Sequence, residues 1–133
     1  MNKQFEGKVA FISGGTSGLG KATVYELVKR GARVIFVGRD DAKAQEVINK
    51  CKELGGEAEY KNCDITKHQN VIDVFGYIRE RYGKLDFAGN VAGTGIPSTQ
   101  IDDTTDDQID MMIDINLKGL IYCMIEELSL IHI

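Results

Sequence analysis

The stretch SGGTSGLG, residues 13–20, decides the fold, because it places four glycines within eight residues directly after an apolar run. That run, KVAFIS at 8–13, is rich in β-branched and aromatic side chains and predicts a strand. Residues 18–30 have helical spacing, which Gly31 ends. The glycines therefore join a strand to a helix, a turn at which backbone N–H groups and the helix N-terminus can approach a pyrophosphate.

The alternation of strand and helix continues along the chain. Further strands are predicted over 33–38, 57–64 and 84–93, each followed by an amphipathic helix. Right-handed crossovers in such a β-α repeat give a parallel sheet with helices on both faces. The sequence predicts an α/β, Rossmann-like doubly wound sheet of strand order 3-2-1-4, truncated after the fourth strand and its following helix.

Polar residues mark the expected helix starts. The predicted caps are Asp40 or Asp41 for the second helix, Thr66 with Gln69 for the third, and Thr105 with Gln108 for the last. The last helix carries an apolar stripe at helical spacing. Its members are Ile109, Met112, Ile113, Leu117, Leu120, Ile121 and Met124.

Composition excludes several classes of protein. The 133 residues suit one domain, and 16 Lys and Arg against 20 Asp and Glu give a net charge of -4, which implies neither nucleic acid nor an anionic membrane as a partner. We find no run that spans a bilayer and no signal peptide. Three scattered cysteines favour a reducing cytoplasm, and with His68 and His132 they give no metal-ligand spacing, so we predict no metal site.

Each residue of the glycine loop has an expected task. Gly14 permits the turn, Gly18 lets N–H groups approach a pyrophosphate, and Gly20 lets the helix pack close to the sheet. Thr16 and Ser17 add hydroxyl hydrogen bonds. The alternative is an ordinary glycine-rich turn, which the strand-turn-helix-strand context disfavours.

The glycine spacing also carries a family resemblance. Gly-x-x-x-Gly-x-Gly, together with CDI at 63–65 and NVAG at 90–93, resembles the short-chain dehydrogenase/reductase family over residues 5–127. Ser13 stands where the family has threonine, and Val91 replaces its second asparagine. The resemblance implies cofactor binding by Gly14, Thr16, Ser17, Gly18, Leu19, Gly20, Arg39, Asp64, Ile65, Asn90, Ala92 and Gly93, and a catalytic role for Asn116, three residues before Gly119.

Simpler interpretations of these residues stay open. Asp64 could cap a turn, Asn90 could be a turn residue, and Asn116 could lie on the surface. Tyr25 and Lys29 also have the spacing Tyr-x-x-x-Lys that the family uses for catalysis. They follow the glycine loop on the first helix, where we expect a packing residue and a solvated charge near the helix C-terminus.

The end of the second strand discriminates between the two nicotinamide cofactors. An acidic residue there would accept hydrogen bonds from the ribose 2′-OH of NAD, whereas an arginine accommodates the 2′-phosphate of NADP. This chain has Gly38-Arg39 followed by Asp40. We therefore favour NADP(H), with NAD(H) as the alternative if Arg39 is only a solvated loop residue.

The resemblance implies an NAD(P)-dependent oxidoreductase that transfers hydride between the nicotinamide and a small carbonyl or alcohol substrate. In the family a serine and a Tyr-x-x-x-Lys pair lie further along than position 133, and the helix asparagine, here Asn116, keeps a water in the proton relay. We expect residues 1–127 to be a cofactor-binding portion that lacks turnover. The family further implies a homodimer or homotetramer, in which the last helix helps to form the subunit interface.

Residues 128–133, LSLIHI, match the translation of a transposon-end adapter used in sequencing libraries, so we expect a non-native tail; a native apolar helix end is the alternative. Two rival functions stay open. One is a non-catalytic dinucleotide-binding module. The other is a methyltransferase, which also has a glycine loop after its first strand, although the glycine spacing and NVAG disfavour it.

Overall fold

The computed structural model describes residues 3–95 and 100–131. The strands are β1 (Val9–Ser13), β2 (Arg33–Gly38), β3 (Ala58–Asn62) and β4 (Phe87–Asn90). The helices are α1 (Gly18–Lys29), α2 (Asp41–Glu53), α3 (His68–Tyr82), α4 (Asp106–Ile113) and α5 (Leu120–Ile131). A 3-10 turn (Ile101–Asp103) precedes α4, and a π-helical segment (Asp114–Gly119) joins α4 to α5. The last two residues of the expected tail, 132 and 133, lie outside the described ranges.

The four strands form one parallel sheet in the order β3-β2-β1-β4. The predicted Rossmann-like arrangement and its strand order are confirmed. β1 lies between β2 and β4 and is buried along its whole length. The carboxyl ends of β1, β2 and β4 therefore meet at one edge of the sheet, which is the edge reached by the glycine loop.

Apolar side chains cover both faces of the sheet. On one face Phe11 of β1 packs against Phe75 of α3 with ring centroids 4.6 Å apart, and Cys123 of α5 joins the same cluster. On the other face Phe36 of β2 packs with Val24 of α1. Burial of side chains of this size stabilises the fold by about 1.5–3 kcal/mol each, so the sheet is held from both sides.

Two predicted caps are confirmed and one is wrong. Asp40 caps α2 by accepting from the Lys43 N–H, and Thr105 forms the capping box of α4. Thr66 does not cap α3, which begins after Lys67. The N-cap position is Lys67, one residue later than expected, and the Thr66 hydroxyl donates to Asp64 at 2.6 Å in the turn before the helix.

Most of the apolar stripe predicted for the last helix is exposed, and α5 buries a different set of side chains. Of the predicted stripe, Ile109, Ile113, Leu117, Ile121 and Met124 are exposed. The buried residues of α5 are Cys123, Glu127 and Leu130. α4 buries none of its side chains, and a π-helical segment interrupts the regular helix between α4 and α5. An apolar face is left in solvent.

No helix in the described part of the chain combines the length and apolarity that membrane crossing requires. The three cysteines are free thiols. Within residues 3–95 and 100–131, histidine, cysteine and carboxylate side chains do not gather in groups of three or more that could hold a metal ion.

Candidate functional site

The glycine loop packs closely against its neighbours at two points. A Cβ added to Gly14 would lie 2.8 Å from Ala92 Cα, and one added to Gly20 would lie 1.9 Å from the Gly14 carbonyl oxygen. Both distances are shorter than real Cβ contacts allow. The backbone of the loop therefore touches both the start of α1 and the segment after β4, and glycine is required at each contact.

The start of α1 is open to solvent. Gly18 has a φ of +55°, and a Cβ added there would meet nothing within 4 Å. Ser17 is the N-cap residue, but its hydroxyl makes no capping hydrogen bond. The first N–H groups of the 12-residue helix α1 are thus not capped by a side chain, which suits an anion such as a phosphate.

A serine hydroxyl ties β1 to the segment after β4. Ser13, which is only 2% exposed, accepts hydrogen bonds from the backbone N–H groups of Val91 and Ala92, both at 3.1 Å. Threonine, the family's residue at this position, has the same hydroxyl group. The replacement by serine therefore preserves the contact that fixes residues 90–93 beside the glycine loop.

These segments enclose a cavity of about 410 Å³ at the carboxyl edge of the sheet, a size typical of ligand sites. Most of the predicted site residues line it: Gly14, Ser17, Leu19, Gly20, Arg39, Asp64, Ile65, Ala92 and Gly93. Thr16, Gly18, Asn90 and Asn116 are not among its lining residues. Val37, Gly38, Cys63, Val91 and Ile115 line it without having been predicted, since their apolar or small side chains carry no chemical signal.

Arg39 is the exposed cation at the β2 end of the cavity. No carboxylate oxygen of the described residues lies within 4 Å of its guanidinium. The two acidic residues that follow it have other partners, since Asp40 accepts from the Lys43 N–H at 3.0 Å and Asp41 accepts from side chains of β3. The guanidinium is thus available to an anionic ligand.

Asp64 lines the cavity from the connection between β3 and α3. Burial raises the pKa of Asp64, but hydrogen bonds from the Thr66 hydroxyl and N–H and the charge of Arg39 outweigh it, so the pKa lies below its ordinary value. The hydrogen bonds measure 2.6 and 3.1 Å. Both go to the Oδ1 oxygen, and the carboxylate is ionised at neutral pH.

The asparagine that the sequence suggests for catalysis lies in the π-helical segment. Asn116 Oδ1 accepts from the Thr94 N–H at 2.8 Å, and Asn116 Nδ2 donates to the Thr94 carbonyl oxygen at 2.8 Å. A Cβ on Gly93 would stand 3.1 Å from the same Oδ1 atom. The side chain therefore binds the backbone after β4, and the π turn is what places it there.

Asn90 has a partner that the sequence analysis missed. Its Nδ2 atom donates to Glu127 Oε1 at 2.8 Å, and Glu127 is only 5% exposed. Among the described residues, the second carboxylate oxygen of Glu127 has no hydrogen-bond partner. Burial raises the pKa of Glu127 more than the Asn90 hydrogen bond lowers it. A glutamate on a helix carries no local signal of burial, which explains the omission.

The Tyr25 and Lys29 pair does not form a site. The Tyr25 ring packs partly buried against the core beneath α1, and Lys29 pairs with Glu26 at 3.6 Å near the helix C-terminus. Neither lines the cavity at the carboxyl edge of the sheet.

Comparison with known proteins agrees with this geometry. The family model of the short chain dehydrogenases matches residues 8–131. The chain belongs to the short-chain dehydrogenase family. The match begins at β1, includes the glycine loop and ends in α5, so every element that borders the cavity lies within it.

Curated proteins from two organisms are similar in sequence to this chain. A 3beta-hydroxysteroid dehydrogenase of Mediterraneibacter gnavus is 36% identical over 129 residues, which cover 97% of this chain and 47% of that protein. Tropinone reductase-like 1 of Erythroxylum coca is 35% identical over 122 residues, which cover 89% of this chain and 43% of that protein. The chain spans about half the length of the curated relatives it matches.

Solved structures share the fold. A short-chain type dehydrogenase/reductase from Mycobacterium ulcerans superposes with a TM-score of 0.90 at 25% identity and covers 95% of this chain, which corresponds to 47% of that one. A metagenomic short-chain oxidoreductase solved in complex with NADP also gives a TM-score of 0.90, at 27% identity over 95% of this chain and 57% of its own.

Proposed function

We propose that this chain is the cofactor-binding portion of an NAD(P)-dependent oxidoreductase. The observation that carries the proposal is the glycine loop. Its backbone is held against Ala92 while Gly18 and the uncapped start of α1 face open space beside the cavity. A bound nicotinamide dinucleotide would exchange hydride with a small carbonyl or alcohol substrate. Gly14, Gly18 and Gly20 would shape the pyrophosphate site.

The other predicted residues would surround the same cofactor. Thr16, Ser17 and Leu19 would border the phosphates, Asp64 and Ile65 the adenine, and Asn90, Ala92 and Gly93 the segment under the nicotinamide half. Asn116 would support the proton relay by holding the Thr94 backbone, the contact that its side chain makes at 2.8 Å. Since the family's serine and Tyr-x-x-x-Lys are not found in this chain at family positions, we propose that the 133 residues bind cofactor without turnover.

We propose NADP(H) as the favoured cofactor, with NAD(H) as the alternative. Support comes from Arg39, which borders the cavity and has no carboxylate of the described residues within 4 Å. The metagenomic short-chain oxidoreductase that shares this fold was solved in complex with NADP. A homodimer or homotetramer is supported by the exposed apolar face of α4 and α5, which includes Ile113, Leu117 and Ile121. The cytoplasmic location stays a prediction.

Direct titration tests the cofactor assignment. We expect NADP+ to bind the unaltered chain more tightly than NAD+, and Arg39→Ala to weaken NADP+ binding by about tenfold to a hundredfold, since charge-assisted hydrogen bonds contribute about 1.5–3 kcal/mol. Arg30→Ala is the matched control, because Arg30 is also exposed but lies at the far end of α1. Failure of the unaltered chain to bind either dinucleotide would refute the proposed function.

The proposed lack of turnover has its own test. We expect no oxidation of NADPH by the 133-residue chain with a panel of ketones, measured by absorbance. Sequencing the source gene past the codon for Glu127 distinguishes the oxidoreductase from a non-catalytic dinucleotide-binding module. A frame that continues to a serine and Tyr-x-x-x-Lys supports the oxidoreductase, whereas a natural stop after Ile133 would favour the non-catalytic binding module.

A further inference from the structure

Two side chains of β3 bind Asp41, the acidic residue two positions after Arg39. The Tyr60 hydroxyl donates to Asp41 Oδ1 at 2.8 Å, and Asn62 Nδ2 donates to the same oxygen at 2.9 Å. Asp41 is the first residue of α2 and lies two positions after Arg39. Its carboxylate is therefore directed towards β3.

The same two side chains also contact the backbone at the end of β2. The Tyr60 hydroxyl is 3.1 Å from the Gly38 carbonyl oxygen, and Asn62 Nδ2 is 3.5 Å from the Arg39 carbonyl oxygen. Gly38 is also paired in register with Asn62 across the β2–β3 ladder. The Tyr60 ring packs against Phe36 with centroids 5.4 Å apart, which fixes the position of its hydroxyl.

The direction of the Asp40 and Asp41 carboxylates affects whether a phosphate can bind beside Arg39. A 2′-phosphate carries negative charge, and a carboxylate that turned towards it would repel it. Asp40 is bonded to its own helix at the Lys43 N–H, and Asp41 is bonded to β3, so neither carboxylate is directed at Arg39. Burial and the Asp41 contact raise the pKa of Tyr60 to about 12, so its hydroxyl is a donor at neutral pH.

We propose that Tyr60 and Asn62 are specificity-determining positioning residues, which hold the Asp41 carboxylate against β3 and leave Arg39 free to pair with the 2′-phosphate of NADP(H). This inference rests on the proposed function. It assigns the preference between the two dinucleotides to side chains that do not themselves line the cavity. Loss of either donor leaves the carboxylate held by only one bond, so that it turns towards the phosphate more often and lowers the affinity for NADP(H); NAD(H), which has no phosphate at this position, is affected less.

The test compares affinities for NADP+ and NAD+ in the protein expressed from its intact gene, by calorimetric titration. We expect Tyr60→Phe to reduce the preference for NADP+ about fivefold and Asn62→Ala to act in the same direction, as for a repulsive charge in solvent. Adding Asp41→Asn to Tyr60→Phe removes the released charge and restores the preference. Tyr25→Phe is the matched control on α1, remote from the turn.

Each result has one meaning. An unchanged preference in both Tyr60→Phe and Asn62→Ala, with thermal transitions that show folded protein, overturns the inference alone. Equal binding of NADP+ and NAD+ by the unaltered protein overturns it as well. Binding of neither dinucleotide by the unaltered protein refutes the proposed function itself. Since the Asn62 side chain is exposed, its removal leaves the core intact and keeps the test valid if Tyr60→Phe unfolds.

Discussion

Replacement of Gly20 by alanine should destabilise the chain through its glycine loop. Gly20 is buried in the first turn of α1, and the added Cβ would stand 1.9 Å from the Gly14 carbonyl oxygen and 2.7 Å from its carbon. Because the obstructing atoms belong to the backbone, no side-chain rotation relieves the overlap. The loop or the helix has to move by roughly 1 Å or more to reach an ordinary contact.

The expected magnitude combines two opposing effects. Overpacking against backbone costs about 3 kcal/mol, at the upper end of the usual range. Alanine in a helix is better than glycine by about 1 kcal/mol, which offsets part of that cost. We therefore expect Gly20→Ala to lower the free energy of unfolding by about 2 kcal/mol or more, which corresponds to a fall in Tm of roughly 6–10 °C for a domain of this size.

Urea unfolding followed by circular dichroism measures this change, with Gly76→Ala as the matched control. Gly76 lies inside α3, and a Cβ added there meets nothing within 4 Å. The control should gain about 0.5–1 kcal/mol from helix propensity alone. If Gly20→Ala were as stable as Gly76→Ala, the close approach of α1 to the loop would be refuted, and with it the reason for glycine at position 20.

Three further changes test other contacts. Ser13→Ala should cost about 1–3 kcal/mol in urea unfolding, because two backbone N–H groups after β4 lose their shared acceptor, whereas Ser13→Thr should retain most of the stability. Burial raises the pKa of Glu59, but hydrogen bonds from two tyrosine hydroxyls and nearby cations lower it by more, so the net shift is downwards. The ionised carboxylate should therefore stabilise the fold at pH 7, and this stabilisation should be lost as pH falls below about 4. Equal unfolding of Glu59→Gln and the unaltered chain at pH 7 would contradict this. Burial raises the pKa of Glu127, so its charge destabilises the fold at pH 7, and Glu127→Gln should raise the Tm at pH 7 but have little effect at pH 3; a lowered Tm at pH 7 would contradict the reasoning.

The sheet could be predicted because its signal is local and repeated. β1 and β2 are short apolar runs that end in a turn, and the alternation of strands with helices leaves few topologies. The glycine loop was equally predictable, since the residues that it requires are adjacent in sequence. The start of α3 was not, because the helix begins after Lys67 rather than at Thr66, and the sequence does not indicate that Thr66 bonds with Asp64 instead.

The last helix shows a second limit. Its apolar residues repeat at 3.6 residues per turn, and nothing in that pattern indicates the π-helical segment at Asp114–Gly119 that interrupts the regular helix. The contacts between Asp41 and β3, and between Asn90 and Glu127, could not be predicted from the sequence either. They join residues that are distant in sequence and polar in type, so neither periodicity nor composition indicates them.

The central position of β1 sets the order in which a newly made chain can fold. Val9 donates its N–H to Asp86, a residue that the ribosome adds 77 positions later. At about 5–20 residues per second, that interval lasts roughly 4–15 s. During it, the strand that ends in the glycine loop has β2 on one side and an unpaired edge on the other. β1 is thus made before β2 and β4 but completed only when β4 is added, and until then its free edge can pair with other nascent chains.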